Sequence, residues 1–335
     1  MSNGIGLAYG FTKLDLAGHA IGMTSLLTTA NWSSSAWMKA LREAAPGRKF
    51  VLNGVDPFEA DEIRYALTWK PPAGLLNSLP QLEVIFNLGA GVDALLTDPD
   101  LPDVPVVRLV DENLAQRMTE WVALQVLSHH RSVLTYLDQQ REHKWRTQDG
   151  PVAQDVRVGF LGYGVLAQKA ARALRALGYR THGWSRTARA TDITLYVGDG
   201  GLNDFLARTD ILVVLLPLTD ATAGILNIDL FARLAQDGAL GGPYLINAGR
   251  GGLQVEPDVI KALQAGILKG ASLDVFVTEP LPADDPLWDA PNLIITPHCS
   301  AVSDPVAVSR YVVQQMDAYE RGEPLTNVVD RARGY

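Results

Sequence analysis

The chain has a single cysteine, no long apolar run and no surplus of positive charge. Among its 335 residues only Cys299 carries a thiol, so no disulfide can form within the chain and no Cys-rich metal site exists. This cysteine usage is typical of a reducing compartment, and we expect a cytoplasmic protein. No stretch approaches the roughly 18 consecutive apolar residues of a membrane-spanning helix, so we expect no membrane partner.

The charge balance is acidic. Lys and Arg total 29 against 37 Asp and Glu, which gives a formal net charge of −8. Binding to the phosphate backbone of a nucleic acid is therefore not expected as the main role. Residues 1–22 are apolar and glycine-rich, and Lys13 is their only lysine or arginine. We interpret them as an N-terminal extension and not as a secretory signal, which needs a basic start.

Short apolar strands alternate with helical stretches, and at about 150 residues per domain the length predicts two domains. This alternation predicts βαβ units, parallel sheets and an α/β fold. The first series has candidate strands at residues 23–29, 49–52, 65–69, 82–88 and 104–109. The second has them at residues 156–161, 179–184, 211–216, 244–247 and 293–296. Residues 112–140 contain no glycine or proline and predict one long helix at the junction, and residues 303–321 predict a final helix.

A glycine-rich segment follows the first strand of the second series. It reads Gly162-Tyr163-Gly164-Val165-Leu166-Ala167 and leads into a helical pattern. Gly162 allows a tight turn, and Gly164 allows the backbone to approach a pyrophosphate at the helix N-terminus. The segment predicts a dinucleotide site built from residues 162–166. Leu216 and Pro217 end a later strand at the ligand-binding edge of the sheet, and we expect Pro217 under the nicotinamide or its ribose.

No carboxylate follows the second strand of this series, where an NAD enzyme usually has one for the adenosine ribose. The chain has Ser185, Arg186 and Thr187 there, with Arg189 beyond and the first carboxylate only at Asp192. A cation and two hydroxyls suit a 2′-phosphate, so the sequence favours NADP, with NADPH as the reduced form. NAD remains the alternative.

Three more strands of the series end in polar segments. These are Asn247-Ala248-Gly249-Arg250-Gly251, Leu273-Asp274-Val275-Phe276 with Glu279-Pro280-Leu281, and Pro297-His298. In this order after the glycine segment, they resemble the D-2-hydroxyacid dehydrogenase family. The segments Asn87–Asp93, Trp184-Ser185-Arg186 and Val329–Tyr335 resemble its bacterial glyoxylate/hydroxypyruvate reductase A branch.

The resemblance implies two Rossmann-like, doubly wound parallel-sheet domains. Residues 1–110 and 300–335 would form the substrate-binding domain, and residues 111–299 would form an NAD(P)-binding domain inserted into it. The resemblance also implies a homodimer. Residues 240–243 look like a small insertion that either shifts Arg250 or only lengthens a loop.

The resemblance also assigns roles in the reduction of a small 2-oxo acid. His298 would donate the proton, and Glu279 would hold its imidazole and favour the charged form. Arg250 would bind the substrate carboxylate and polarise the carbonyl. Gly89, Ala90 and Gly91 would hold the carboxylate from the other domain through backbone N–H groups. Ala248 and Asp274 would contact the cofactor, with Asp274 at the nicotinamide carboxamide. No metal is expected.

The implied activity is NADPH-dependent reduction of glyoxylate and hydroxypyruvate to glycolate and D-glycerate. Two alternatives stay open at this point. One is a D-2-hydroxyacid dehydrogenase for another 2-oxo acid. The other is a dinucleotide-sensing binding protein, because the family includes transcriptional corepressors that retain the same three polar residues.

Overall fold

The computed structural model describes residues 23–30, 32–332 and 334, so the N-terminal extension 1–22 lies outside the described residues. The chain forms two units. One comprises Met1–Asp111 and Ser303–Tyr335, and the other comprises Glu112–Val302. None of the helices in the described part of the chain is long and apolar enough to cross a membrane.

The strands are β1 (Thr24–Thr29), β2 (Lys49–Leu52), β3 (Ile63–Trp69), β4 (Val84–Asn87), β5 (Val106–Val107), β6 (Arg157–Leu161), β7 (Arg180–Ser185), β8 (Thr194–Val197), β9 (Ile211–Val214), β10 (Tyr244–Asn247), β11 (Gly270–Leu273) and β12 (Leu293–Ile295). The helices are α1 (Ser34–Ala44), α2 (Asp93–Leu96), α3 (Glu112–His130), α4 (Val133–Arg141), α5 (Val165–Ala176), α6 (Gly198–Leu206), α7 (Ile228–Ala232), α8 (Glu256–Gln264) and α9 (Pro305–Glu320).

The first unit is built on a parallel sheet with the strand order β2-β1-β3-β4-β5. Leu26, Leu67 and Ile85 on its central strands are completely buried. Helix α1 is amphipathic and buries one face, with Trp37 and Leu41 inside. Since β2 and β3 pair with opposite sides of β1, the chain changes direction between β1 and β3. The carboxyl ends of these two strands form the topological switch point, where open α/β sheets bind ligands.

The second unit is built on a parallel sheet with the strand order β12-β11-β10-β9-β6-β7-β8. On β9, Ile211 and Val213 face one core, while Leu212 and Val214 face the other. This alternation buries both faces of the sheet, with α5 packed on one side and α8 on the other. The predicted fold class, two doubly wound parallel-sheet domains, is confirmed. The switch point of this sheet lies between β6 and β9.

The predicted single helix over residues 112–140 is wrong. The chain forms α3 and α4, and Ser132 between them has a left-handed φ of 55°. The end of α3 is fixed by His130, whose ring nitrogens bond the Tyr179 hydroxyl at 2.6 Å and the Pro151 carbonyl at 2.8 Å. These contacts hold the C-terminal end of α3 against Tyr179 and Pro151, and the chain turns two residues later at Ser132. Because no glycine or proline marks the break, the local sequence gave no signal for it.

Helix α9 is tied to the first unit through a buried ion-pair cluster. The Arg48 guanidinium donates to Glu320 at 2.7 Å and to Asp317 at 2.5 Å, and the Tyr65 hydroxyl donates to Glu320 at 3.0 Å. The Arg48 side chain is 2% exposed. Removing the carboxylates would leave the buried Arg48 charge uncompensated, so the cluster anchors the returning C-terminal helix.

Besides His130, two histidines are buried in the second unit, His129 and His182. His129 Nε2 lies 2.8 Å from the Ser272 hydroxyl, which donates to Gln125. His182 Nε2 lies 2.9 Å from the Thr209 hydroxyl, which donates to a backbone carbonyl. Each hydroxyl hydrogen is therefore committed, so both imidazoles donate from Nε2. Burial lowers the pKa of each histidine to about 4, and both are neutral in the folded protein.

Candidate active site

The predicted site residues of the second unit follow the carboxyl ends of successive strands along one edge of its sheet. Across the sheet these are His298 after β12, Glu279 after β11, Arg250 after β10, Pro217 after β9, Gly162 after β6 and Arg186 after β7. Parallel strands present all their carboxyl ends at the same edge. Residues that are up to 136 positions apart therefore line one side of the unit.

His298 and Glu279 form a direct pair. His298 Nδ1 lies 3.0 Å from one Glu279 carboxylate oxygen and 2.9 Å from the other. The two side chains are about one-third and one-quarter exposed, at 33% and 23%. His298 has a left-handed φ of 50°, an uncommon conformation for a residue with a side chain. Since Nδ1 is engaged by the carboxylate, Nε2 is the ring nitrogen that can serve a substrate.

Asp274 fixes the loop that carries His298. One carboxylate oxygen accepts from the Thr296 hydroxyl at 2.5 Å and from the Cys299 N–H at 2.9 Å, and the other accepts from the Ser300 N–H at 2.9 Å. Asp274 is completely buried, and the Trp121 indole donates to the same Thr296 hydroxyl at 3.2 Å. Asp274 thus holds the backbone on both sides of His298. Its predicted contact with the nicotinamide carboxamide stays a prediction.

Arg250 is half-buried in a loop shaped by Asn247. The Asn247 side chain accepts from the Gly249 N–H at 3.0 Å and donates to the Arg250 carbonyl at 3.2 Å. Arg250 Nη1 donates to the Gly249 carbonyl at 2.7 Å. A methyl group on Gly251 would overlap the Phe276 carbonyl, so this loop lies directly against the segment that leads to Glu279.

The insertion at residues 240–243 forms a turn at the amino end of β10. Gly241 and Gly242 have positive φ values of 71° and 142°. The strand that follows keeps its register, because Tyr244 pairs with Ile211 and Asn247 pairs with Val214. The turn at residues 240–243 lies at the opposite sheet edge from Arg250, and β10, which precedes the Arg250 loop, pairs with β9 without a register shift.

The glycine-rich loop has the geometry of an anion site. Gly162 has a φ of 96°, and a methyl group there would approach the Leu215 carbonyl to 2.9 Å. Gly164 caps α5, and a methyl group on it would meet no atom within 4 Å. The first turn of α5 carries no acidic residue. A helix N-terminus with open space and no negative charge fits a phosphate group.

The polar residues at the end of β7 and in the turn after it have different surroundings. Ser185 is buried and donates its hydroxyl to the Thr187 carbonyl at 2.7 Å, so it shapes the turn. Arg186 and Thr187 are exposed. Arg189 Nη1 donates to the Tyr163 carbonyl at 3.0 Å, which places a second guanidinium on the glycine-rich loop. The sequence reasoning gave Arg189 no site role, although its position three residues after Arg186 was a usable signal.

In the first unit, the loop after β4 is held by Asn87. Its side-chain amide donates to the carbonyls of Gly89 at 2.7 Å and Gly91 at 2.9 Å. The Trp69 ring packs on Gly89, where a methyl group would overlap the ring. The sequence reasoning named Gly89, Ala90 and Gly91 but gave no role to the Asn87 amide, although Asn87 opens the quoted motif.

The second unit therefore offers an imidazole with a paired carboxylate, a half-buried guanidinium and an open helix N-terminus on one sheet edge. These groups can donate a proton, bind a carboxylate and bind a dinucleotide. Among the residues that the structure describes, no group of three His, Cys, Asp or Glu side chains is arranged to hold a metal ion.

Comparison with known proteins agrees with this geometry. Residues 123–300 match the model of the D-isomer specific 2-hydroxyacid dehydrogenase, NAD binding domain. A glyoxylate/hydroxypyruvate reductase A of Escherichia fergusonii is 38% identical over 323 residues, which cover 93% of this chain and 100% of that protein.

Solved structures give the same result. An NADPH-dependent glyoxylate/hydroxypyruvate reductase of Sinorhizobium meliloti, in complex with NADP and sulfate, is 44% identical with a TM-score of 0.89. A probable 2-hydroxyacid dehydrogenase of Rhizobium etli, in complex with NADP, HEPES and L(+)-tartaric acid, is 43% identical with a TM-score of 0.87. Both alignments cover 93% of this chain and 100% of the other. The chain therefore belongs to the D-isomer-specific 2-hydroxyacid dehydrogenase family and contains its NAD-binding domain.

Proposed function

We propose that this protein uses NADPH to reduce glyoxylate and hydroxypyruvate to glycolate and D-glycerate. The observation that carries the proposal is the His298–Glu279 pair, which shares a sheet edge with Arg250 and the glycine-rich loop. The names of the Escherichia and Sinorhizobium relatives support the same substrates.

The residues present fit a nicotinamide dinucleotide. The open space at Gly164 and the uncharged start of α5 suit the pyrophosphate, and the exposed Arg186 suits a 2′-phosphate. Leu216, Pro217 and Ala248 would contact the remainder of the cofactor. When bound, NADPH supplies the hydride that reduces the substrate carbonyl carbon.

The protein's own groups would bind and protonate the substrate. The Arg250 guanidinium binds the carboxylate and draws electron density from the adjacent carbonyl. His298 donates the Nε2 proton to the carbonyl oxygen, while Glu279 holds the ring through Nδ1. The backbone N–H groups of Ala90 and Gly91 also bind the carboxylate. Asn87 supports that role because it engages the carbonyls of the same loop.

NADPH oxidation with a panel of 2-oxo acids tests this proposal. We expect kcat/KM to be higher for glyoxylate and hydroxypyruvate than for pyruvate, 2-oxobutyrate or phenylpyruvate. A branched or aromatic acid at the top of the ranking would reject the assigned substrates. Tight NADPH binding without turnover of any acid would instead favour a dinucleotide-sensing protein.

Trp69 supports the preference for short substrates. It ends β3 at the switch point of the first unit and packs on Gly89. Its ring stacks on Trp32 at 4.8 Å, and Trp32 stacks on Trp37 at 5.5 Å, so the indole is backed by two more rings. An indole held in this way beside the proposed carboxylate loop would exclude a long substrate side chain.

We therefore expect Trp69→Leu to relax the size preference. The kcat/KM ratio of phenylpyruvate to glyoxylate should rise about tenfold or more, in the range that pocket size contributes to selectivity. This ratio does not depend on the fraction of folded protein, since partial unfolding lowers kcat/KM for the two substrates equally. An unchanged ratio would remove Trp69 from substrate selection.

Arg186→Ala should selectively weaken the use of NADPH. Charge-assisted hydrogen bonds contribute roughly 1.5–3 kcal/mol each, so two bonds to a 2′-phosphate give a preference of about a hundredfold. We expect kcat/KM for NADPH to fall, kcat/KM for NADH to stay nearly unchanged, and the salt dependence of NADPH binding to decrease.

Arg208→Ala is the matched control for Arg186→Ala. Arg208 is exposed and precedes β9, so it lies at the opposite edge of the same sheet. The control changes the net charge equally and should leave both cofactors unaffected. Equal use of both cofactors by the native protein, or an equal loss for both in Arg186→Ala, would contradict the assignment.

We also propose that the second unit binds the cofactor, that the first contributes the carboxylate loop, and that the protein is a cytoplasmic homodimer. Exposed apolar side chains cluster on α3, α4 and the following segment, namely Leu124, Leu127, Val133, Tyr136, Leu137, Trp145 and Val152. A two-fold dimer buries the same surface of both copies, and these apolar side chains offer such a surface. Sedimentation velocity of native protein and Trp145→Ser measures whether a second copy covers this face.

A further inference from the structure

Gln254 lies between two loops of the proposed active site and is 3% exposed. Its Oε1 accepts from the Asn247 side chain at 2.9 Å, and its Nε2 donates to the Val275 carbonyl at 3.0 Å and to the Glu256 carboxylate at 3.4 Å. A buried amide with both ends bonded is fixed in position, because breaking either bond leaves a polar group unpaired.

One end of this bridge leads to Arg250. The Asn247 Nδ2 that donates to Gln254 also donates to the Arg250 carbonyl at 3.2 Å. Asn247 is completely buried and ends β10. The position of the Gln254 amide is therefore transmitted through one side chain to the backbone that carries the guanidinium.

The other end leads to Glu279 and His298. Val275 precedes Phe276, whose N–H donates to Glu279 Oε1 at 3.2 Å. That carboxylate holds His298 Nδ1. Gln254 thus connects the backbone of the proposed carboxylate-binding residue with the segment that carries the partner of the proposed proton donor.

The sheet itself does not make this connection. Pairing of β10 with β11 ends at Asn247 and Leu273, followed by one backbone bond from the Asp274 N–H to the Asn247 carbonyl at 3.0 Å. Beyond that point the two loops are joined by side chains. Gln254 bonds Val275, and Glu256 accepts from the Val277 N–H at 2.9 Å.

We propose that Gln254 is a positioning residue for the reduction, which sets the location of Arg250 relative to the Glu279–His298 pair. This inference rests on the proposed function. The carboxylate and the carbonyl oxygen of a 2-oxo acid belong to adjacent carbons, so the groups that bind them must keep a fixed separation. A misplacement of about 1 Å can reduce the rate of a chemical step about 10²-fold.

Single-turnover kinetics separate positioning from a merely structural role. The protein with bound NADPH is mixed with saturating glyoxylate, and the decay of NADPH absorbance is followed. The rate constant reports the chemical step in each active molecule, while the amplitude reports the fraction of molecules that is active. Loss of folded protein lowers the amplitude alone.

Gln254→Met removes all three side-chain hydrogen bonds at similar volume, because methionine is unbranched and flexible. We expect the rate constant to fall about 10–100-fold, with the amplitude and the Kd for NADPH near native. Gln125→Met is the matched control. Gln125 is also 3% exposed and loses a buried bond, from Ser272 at 2.9 Å, but it lies on α3. Its rate constant should stay native.

A rate constant within about twofold of native in Gln254→Met would overturn the inference. If that variant does not fold, Gln254→Leu replaces it. This variant also removes the three side-chain hydrogen bonds and adds no charge beside Glu256, so the same fall is expected and a native rate constant again overturns the inference. Failure of the native protein to oxidise NADPH with any 2-oxo acid would refute the proposed function instead.

Discussion

His298→Ala should lower kcat for glyoxylate reduction about 10²–10⁴-fold, the usual contribution of a positioned general acid. The fall is expected in kcat because His298 donates its proton only in the chemical step, while hydride adds to the carbonyl carbon, and not when the substrate binds. The folded structure should persist, since the backbone around His298 is held by Asp274 and the imidazole is one-third exposed. Steady-state kinetics at saturating NADPH measure the effect.

The matched control is His143→Ala. His143 is exposed and has a left-handed φ of 53°, close to the 50° of His298, so both substitutions remove an imidazole from the same backbone conformation. The control should retain native kcat. Arg250→Ala should differ from both, because a carboxylate anchor acts in the ground state and its loss raises KM as well. Near-native kcat in His298→Ala would remove this histidine from the mechanism.

The sequence was sufficient for most strands because strand identity is largely a local property, but it did not predict β8. Apolar strands alternate with amphipathic helices, and both parallel sheets follow from that alternation. The placement of Gly162, Arg250 and His298 on one edge also follows, since each comes directly after a predicted strand. The strand order across the second unit depends on the crossovers, which local patterns do not specify. The family resemblance implied only that both sheets are doubly wound, and the structure gives the strand order.

The residues that hold the site could not be predicted, because their roles depend on contacts between distant segments. Asp274 was expected at the cofactor, yet its carboxylate receives three bonds from residues 296–300. Gln254 and Asn87 are amides at ordinary loop positions, and nothing local shows what they bond. The helix break at Ser132 has the same origin, since its cause is the contact of His130 with Tyr179 and Pro151.

Acidification from pH 7.5 to pH 5 should lower the free energy of unfolding by about 4 kcal/mol through His129 and His182. Burial lowers the pKa of both to about 4, against about 6.5 in an unfolded chain. Below pH 6.5 the unfolded chain binds protons that the folded chain does not. Stability is therefore full above pH 6.5, falls as the pH drops towards 4 and levels off below it. At pH 5 each histidine accounts for about 2 kcal/mol. Urea titrations at both pH values measure the difference.

Substitutions distinguish the contribution of these two histidines to the pH dependence of stability from that of the carboxylates, which titrate over the same pH range. In His129→Gln the amide can still donate to Ser272 but cannot take up a proton, so about 2 kcal/mol of the pH dependence should disappear. His182→Gln should remove a similar amount, and the double variant about 4 kcal/mol, even though each variant starts from a lower stability at pH 7.5. His143→Gln is the control, because it replaces an exposed histidine with the same residue and should leave the native pH dependence intact. If the double variant loses as much stability between pH 7.5 and pH 5 as the native protein, the buried imidazoles are not the source of its acid sensitivity.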